Sequence, residues 1–551
     1  MNIAYQIQEA SKKFPSKKAV IFSQRNKSSY QYPYLTFLEF EERSNQLANR
    51  FIKLGITPGM RTLLFVKPCL DFSVITFALF KVGAIPVLID PGMGLKNLLE
   101  SIKQVKPEGL VSIGMVHWMR RIKRESFKSV KIKISLESVG GRTHHLYENL
   151  EQESKQFIPF EASLSTPAAI LFTSGGTGIP KGVIYTHGIL NAQTNALKEM
   201  FSLDEKQTDL PGFPLFALFT LAMGMSSVIP DMDPTKPSQC DPKKIVQNIL
   251  DNQCSFVAGS PAIWERVGKY CLENKIQLGS VKYVVMFGAP VRLEIHQMFK
   301  KILIFGDTYT PYGATECLPV SLISGTEILN SHGRKMRAGA GTCIGKAVPE
   351  TKIKIIKVTD IPETKLDEVP PGEIGEIVVQ GPQVTLAYFD MEAETQKAKI
   401  LDNNLLWHRM GDLGYIDHEQ NLWFMGRKSH RVETTQGIFY PMQIEAIFNQ
   451  HPEVKRSALV SLNVNGQVAP GLVIERNDGQ TKFSSSFHQE LVKLSEMTEK
   501  TKLVKHYFLH PHFPVDVRHN IKIDRVKLSL WAQKQVECQN SWIRKLQKLF
   551  T

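Results

Sequence analysis

Up to about residue 425, short apolar runs alternate with longer stretches whose apolar positions recur at helical spacing. TLLFV, AIPVLI, GLVSIG, AAILFT, SFVAGS, KYVVMFG and ILIFGDT are short, apolar and often followed by Gly, Pro or Asp, the pattern of buried strands. TFLEFEERSNQLANRFIKLG reads as an amphipathic helix that starts after Thr36, carries acids in its first turns and stops at Gly55. This alternation predicts a largely parallel sheet covered by helices. Around GEIGEIVVQG and NLWFMGRK the pattern changes to shorter strands with closer turns. A composition shift follows Arg427, and the rest is long enough for a second, small α/β domain. The expected fold class is therefore α/β. A large multi-sheet N-terminal domain, 1–426, is joined to a small C-terminal domain, 427–551, by a hinge within Gly426 to His430.

Composition narrows this picture without redirecting it. The 551 residues can bury a substantial core unaided, and 42% hydrophobic with 22% charged residues is ordinary for a globular enzyme. Seven cysteines, scattered and odd in number, show no metal or redox spacing and fit a reducing compartment, the cytosol. The opening MNIAYQIQEASKKF lacks an apolar core of signal-peptide length, so no secretion signal is expected. No apolar run approaches the roughly 20 residues needed to span a bilayer.

The net charge of +14 permits acidic partners. Two basic patches stand out. One is MRRIKRESFKSVKIKI, with Arg120, Arg121, Lys123, Arg124, Lys128, Lys131 and Lys133. The other is SWIRKLQKLF, with Trp542, Leu546 and Phe550 at helical spacing beside Arg544, Lys545 and Lys548. Each can be read as a peripheral membrane contact. The plainer reading, a solvated face plus a packed terminal helix, is favoured by composition alone. No nucleic-acid module accompanies the charge, so nucleic acid is not expected as a partner.

The strongest chemical signal is LFTSGGTGIPKGVIYTHG. A strand at Ala169 to Phe172 runs into Thr173, Ser174, Gly175, Gly176, Thr177, Gly178 and Lys181. Glycines let the backbone approach phosphate oxygens, successive N–H groups form an anion nest, hydroxyls add donors, and Lys181 adds charge. A plain surface turn is seldom so rich in anion-binding groups directly after a buried strand. The spacing is not that of a Walker A loop.

At this point the chain resembles the AMP-forming superfamily of acyl-CoA synthetases, luciferases and peptide-synthetase adenylation domains, departing from its loop pattern at Gly176, where Ser or Thr is usual. The resemblance implies ATP and Mg²⁺ as cofactors and a small-molecule carboxylic acid as substrate. FGAP resembles the adenine-flanking turn, which gives Gly288, Ala289 and Pro290 that role. TPYGATE resembles the most diagnostic site of the superfamily. It implies that Tyr312 stacks on adenine, Gly313 allows close approach and Thr315 donates to the α-phosphate. Glu316 is the hard oxygen ligand for Mg²⁺. WHRMGDLGYID and FMGRK imply ribose contacts from Asp412 and Arg427. The hinge position falls on Ser429, where the family usually has Asp or Lys. The family's lysine loop aligns with FPVDVRHNIKIDRVKL and places the catalytic lysine at Lys522, although Asn520 and Ile521 replace its Ser and Gly. Read alone, Lys522 would be a surface lysine; the upstream motifs favour catalysis.

One segment separates subfamilies. FPLFALFTLAMGMSSVIPDMDPTKP has Ala217 where acyl-CoA synthetases commonly show His. With the RHN-x-K lysine loop, it most resembles the β-lactone synthetases of bacterial long-chain olefin biosynthesis, often called fatty-acid–CoA ligases. Those enzymes would close a 2-alkyl-3-hydroxy acid through its own hydroxyl. Phe213, Leu215, Phe216, Ala217, Phe219, Leu221 and Met223 are then candidates for an acyl pocket, although any one of them is more simply a core residue. Three functions compete: the lactone-forming enzyme, a fatty-acyl-CoA ligase using CoA, and a non-catalytic nucleotide-binding scaffold. The retained Lys181, Glu316, Asp412, Arg427 and Lys522 oppose the scaffold. The expectation is a cytoplasmic enzyme, peripheral to the membrane at most, with partners among the enzymes of its own pathway.

Overall fold

A computed structural model describes residues 1–26, 29–141, 143–173, 180–515 and 522–550, with the backbone alone at 173 and 539–550. Among these residues two large, mostly parallel sheets and one antiparallel sheet build the body of the molecule. The first sheet runs, in spatial order, Lys346–Ala347, Cys317–Ser324, Asp307–Ala314, Tyr283–Met286, Phe256–Gly259, Thr208–Pro211, Ser226–Ile229, Lys18–Phe22, Tyr34–Thr36. The second runs Lys181–Thr186, Pro167–Thr173, Ile85–Ile89, Arg61–Phe65, Gly109–Ser112, Ile132–Ser135, His144–His145. Each is parallel in its middle and finished by antiparallel strands at an edge. Burial on both faces accounts for the continuous apolar runs, as at Gly109–Ser112 and Phe256–Gly259, which are buried at every position.

The predicted helix is Phe37–Lys53. Its start is fixed by a capping box: the Thr36 hydroxyl accepts from the Glu39 N–H, and the Glu39 carboxylate accepts from the Thr36 N–H at 2.7 Å. Phe37, Phe40, Leu47 and Phe51 fall on its inward face and join the largest core cluster.

Two expectations need correction. ILIFGDT is not a strand throughout: a helix ends at Ile302, the strand begins at Asp307, and Phe305 is 85% exposed. The apolar run straddles a helix end and a bend, which a pattern count merges. The strands near GEIGEIVVQG are also not short, since Leu405–Ile416 spans twelve residues. It pairs on one side with Gly375–Gln380 and on the other with Lys399–Asp402 near its start and Leu422–Arg427 near its end, so its length serves three partners.

Beyond Arg427, Val432, Phe439, Ile444, Phe448, Leu459 and Leu472 belong to a separate apolar cluster. A second cluster forms where Leu528, Ala532 and Val536 of the helix Arg525–Phe550 pack on Ala458, Val460 and Phe508. The side chains of Trp542, Leu546 and Phe550 lie outside the described residues. Among the described residues, no helix is long and apolar enough to cross a membrane.

Candidate active site

The strand Pro167–Thr173 and the strand Lys181–Thr186 form an antiparallel pair that sets Thr173 opposite Lys181. The predicted phosphate loop is therefore the connection of a hairpin. Ser174, Gly175, Gly176, Thr177 and Gly178 lie outside the described residues, as does the Thr173 side chain. Lys181 is described. Its ammonium sits 2.8 Å from Glu394 Oε2 and 5.0 Å from the centre of the Tyr388 ring. The Lys181 hydrogen bond is the largest influence holding the Glu394 carboxyl below its ordinary range.

Thr315 and Glu316 form the two-residue turn between paired Ala314 and Cys317. Gly313 is required just before it: a Cβ there would meet the Cys317 carbonyl oxygen at 2.7 Å. The Tyr185 hydroxyl donates to the Thr315 carbonyl at 2.6 Å. The Glu316 carbonyl accepts from the Thr385 N–H at 2.9 Å and its hydroxyl at 3.0 Å. The Glu316 carboxylate accepts from the Tyr388 hydroxyl at 2.7 Å. Buried Lys399 donates to the Thr385 carbonyl, and burial pushes its ammonium down to about 8 against the opposing pull of Glu316.

These contacts form a connected chain: Glu394 pairs with Lys181, Lys181 lies over Tyr388, Tyr388 donates to Glu316, and Glu316 influences Lys399. Tyr185, Thr385, Tyr388, Glu394 and Lys399 were not picked out by sequence reasoning. Glu394 lies in the short helix Glu392–Ala398, Lys399 follows it, and in the sequence both look like ordinary surface charges. Tyr388, in LAYFD, lies eight residues beyond the strand Gly375–Gln380, and no local pattern marks it.

At the other end of the site, register does the positioning. Asp412 and Arg427 are directly paired across adjacent strands, with 3.0 Å between Oδ1 and the guanidinium. The Tyr312 hydroxyl donates to Asp412 Oδ2 at 2.6 Å. Burial raises the Asp412 carboxyl, while Arg427, Tyr312 and the charge of Lys522 oppose that rise. The Tyr312 hydroxyl is pushed far up by burial and by the neighbouring carboxylate. Three predicted residues thus meet, and Lys522, itself exposed, lies within electrostatic reach of them. The base of its loop is closed by a bridge between Val515 and Ile523 and by the Asp524 N–H on the Pro514 carbonyl at 2.8 Å.

Gly288, at φ +88°, opens the turn through Ala289 and Pro290 after the strand Tyr283–Met286. The Phe287 ring lies 4.3 Å from that of Phe216, which brings the predicted acyl segment against the predicted adenine turn. The segment itself divides. Ala217 is 2% exposed and lines an apolar pocket with Pro68, Phe72, Gly212, Pro214 and Ile229. Phe213, Leu215, Phe216 and Phe219 are half-buried. Leu221 belongs to the main core, and Met223 packs in the cluster around Phe201. Ser429 is exposed in a short turn between Arg427 and Arg431. Lys428 reaches Glu376 at 3.2 Å, and Arg431 reaches Asp360 at 3.2 Å.

The AMP-binding enzyme family matches residues 7–389. The chain is 38% identical to an olefin β-lactone synthetase of Xanthomonas campestris over 91% of each chain. It is 37% identical to that of Stenotrophomonas maltophilia, over 91% of this chain and 92% of the other. The fold matches ATP-bound MatB of Rhodopseudomonas palustris, with a TM-score of 0.78 and 20% identity over 97% of this chain and 100% of that one.

Proposed function

The chain belongs to the AMP-binding enzyme family, and from that membership we propose that it adenylates a long-chain 2-alkyl-3-hydroxy acid and closes it to a β-lactone. The coarser activity, ATP-dependent and AMP-forming activation, is that of the family. In the first step a carboxylate oxygen of the acid bonds to the α-phosphorus, the bond to the β-phosphate oxygen breaks, and pyrophosphate leaves. We assign Lys522 to the charge that builds on the carboxylate and α-phosphate; loss of such a donor costs roughly 10²–10³ in rate. Asp412 and Arg427 take the ribose, Tyr312 and the Gly288–Pro290 turn take adenine, Thr315 donates to the α-phosphate, and Lys181 with the hairpin loop takes the phosphates.

A single carboxylate on a tight turn suits Mg²⁺, which binds through few protein ligands plus substrate phosphates, and Glu316 has that chemistry. Bound there, the ion would neutralise phosphate charge. In the second step the substrate's own hydroxyl oxygen bonds to the acyl carbon, the bond between that carbon and the bridging phosphate oxygen breaks so that AMP leaves, and the hydroxyl proton passes to the departing AMP phosphate or to solvent. An internal hydroxyl has a high effective concentration, so no thiol is needed. Residues 427–551 are proposed to turn about Ser429 between the steps, and Phe216 and Ala217 to border the acyl chain.

The observation that carries the lactone reading is the identity to two β-lactone synthetases over nine-tenths of the chain. Buried Ala217, in place of the usual His, supports it. Product mass spectrometry after supplying ATP, Mg²⁺ and a long-chain 2-alkyl-3-hydroxy acid tests it. Lactone plus AMP without CoA is expected. A thioester formed only with CoA would replace this reading with that of a fatty-acyl-CoA ligase.

A further inference from the structure

The helix Gly114–Ile122 lies on the second sheet and turns two unlike faces outward and inward. Val116 and His117 are buried, the latter with Nε2 3.2 Å from the Ile134 carbonyl oxygen. On the opposite side Met115, Trp118 and Ile122 are 70%, 63% and 73% exposed. Their spacing of three and four residues puts them on one stripe. Three large apolar side chains this exposed on nine residues are not scattered surface hydrophobes.

The surroundings are cationic. Residues 114–133 hold seven Lys and Arg against one Glu. That Glu125 is already taken by Lys128 at 2.7 Å, with Lys103 of the neighbouring helix Leu95–Val105 adding positive charge beside it. Arg121, Lys123, Arg124, Lys128 and Lys131 are exposed. The Arg121 guanidinium sits 5.4 Å from the Trp118 ring centre, so the charge is interleaved with the apolar stripe.

We propose that this face, Met115, Trp118 and Ile122 with Arg121, Lys123 and Arg124, docks the enzyme on an anionic lipid bilayer. Interleaving selects that occupant. The core of a protein–protein interface is depleted in charged residues. A headgroup layer accepts both kinds of side chain together: aliphatic and tryptophan side chains enter the acyl boundary while Lys and Arg meet lipid phosphates. The placement suits the chemistry. The helix begins at the C-terminal end of Gly109–Ser112. In the same parallel sheet, three strands away, Pro167–Thr173 leads from that rim into the phosphate-loop hairpin. The docking surface itself stands on exposure and charge; only its use for collecting fatty acids rests on the function proposed above.

Co-sedimentation of the full chain with phosphatidylcholine vesicles, with and without phosphatidylglycerol, tests the proposal. Binding is expected to the anionic vesicles and to weaken with salt. R121Q/K123Q/R124Q should weaken it roughly fivefold for each charge removed. W118A/I122A should weaken it at least tenfold. Neither variant should change pyrophosphate exchange with a water-soluble acid, which reports an intact fold and site. A W542A/L546A variant should bind like the parent. Failure of the parent to bind anionic vesicles overturns the proposal. So does binding that survives both helix variants, or binding lost only with Trp542 and Leu546. Lactone formation is read separately, so either conclusion can fail alone.

Discussion

The two ends of the candidate site are built differently. At the end proposed to take ribose, Asp412 and Arg427 are register partners on adjacent strands with polar atoms 3.0 Å apart, and Tyr312, from a strand of the first sheet, donates to Asp412 at 2.6 Å. At the end proposed to take the phosphates, Lys181, Glu316 and the stretch holding Tyr388, Glu394 and Lys399 come together through ion pairing and a shared tyrosine. The Asp412–Arg427 pair of the first arrangement is set by backbone pairing. In the second, Lys181 already has an anionic partner, so an arriving phosphate competes with Glu394. Preorganisation thus belongs to the ribose end and charge exchange to the phosphate end.

The largest test removes the cation that reaches the ribose end from the lysine loop. Lys522→Ala should lower adenylate formation by about 10²–10³ while ATP still binds; pyrophosphate exchange and equilibrium dialysis measure the two. Wild-type exchange would remove Lys522 from catalysis. Next, Asp412→Ala should weaken ATP binding by about 10- to 100-fold, the range for lost hydrogen bonds to a charged group. Unchanged affinity by calorimetry would count against its ribose role.

Glu394→Gln should act in the opposite direction and less. Lys181 loses its anionic competitor in a partly exposed pair, and KM for ATP should fall by about two- to fivefold. A rise in KM would mean that Glu394 aims Lys181 and that both ends are preorganised.

The mildest variant lies away from both ends. Asp209 is buried with Thr220 donating to it at 2.7 Å, and burial lifts its carboxyl to about 7. The folded chain keeps a proton there that the unfolded chain releases near 3.8. Stability from this group is full below about pH 4, is lost as pH rises towards about 7 and levels off beyond. Asp209→Asn should therefore gain stability over the parent as pH rises from 5 to 8, with adenylation unchanged; urea melts at both pH values would check it. Parallel melting curves would place the titration elsewhere.

What could be read from the sequence follows the same division. Tyr312, Asp412 and Arg427 lie in local motifs within strands, and for Asp412 and Arg427 the strand pairing fixes the register. The helix after Thr36 was legible because its capping box is contiguous. Glu394, Lys399 and Tyr388 were not legible. Their partners lie between 14 and 213 positions away, and no periodicity encodes a long-range ion pair. ILIFGDT failed for a related reason, since an apolar run carries no mark where a helix gives way to a bend. The exposed stripe at Met115, Trp118 and Ile122 has the spacing of a core helix, and only burial tells which way it faces.

The contact between Phe216 and Phe287 has a bearing on inhibition. These two rings join the proposed acyl segment to the proposed adenine turn, so a ligand that orders them on one side would meet part of the cost for the other. Such coupling is reciprocal: ATP should tighten the carboxylic acid substrate by the same factor as the acid tightens ATP. A single compound carrying an adenosine and a greasy tail on a non-hydrolysable linker would collect both contributions at once, and shortening its tail should loosen its grip on the nucleotide half as well.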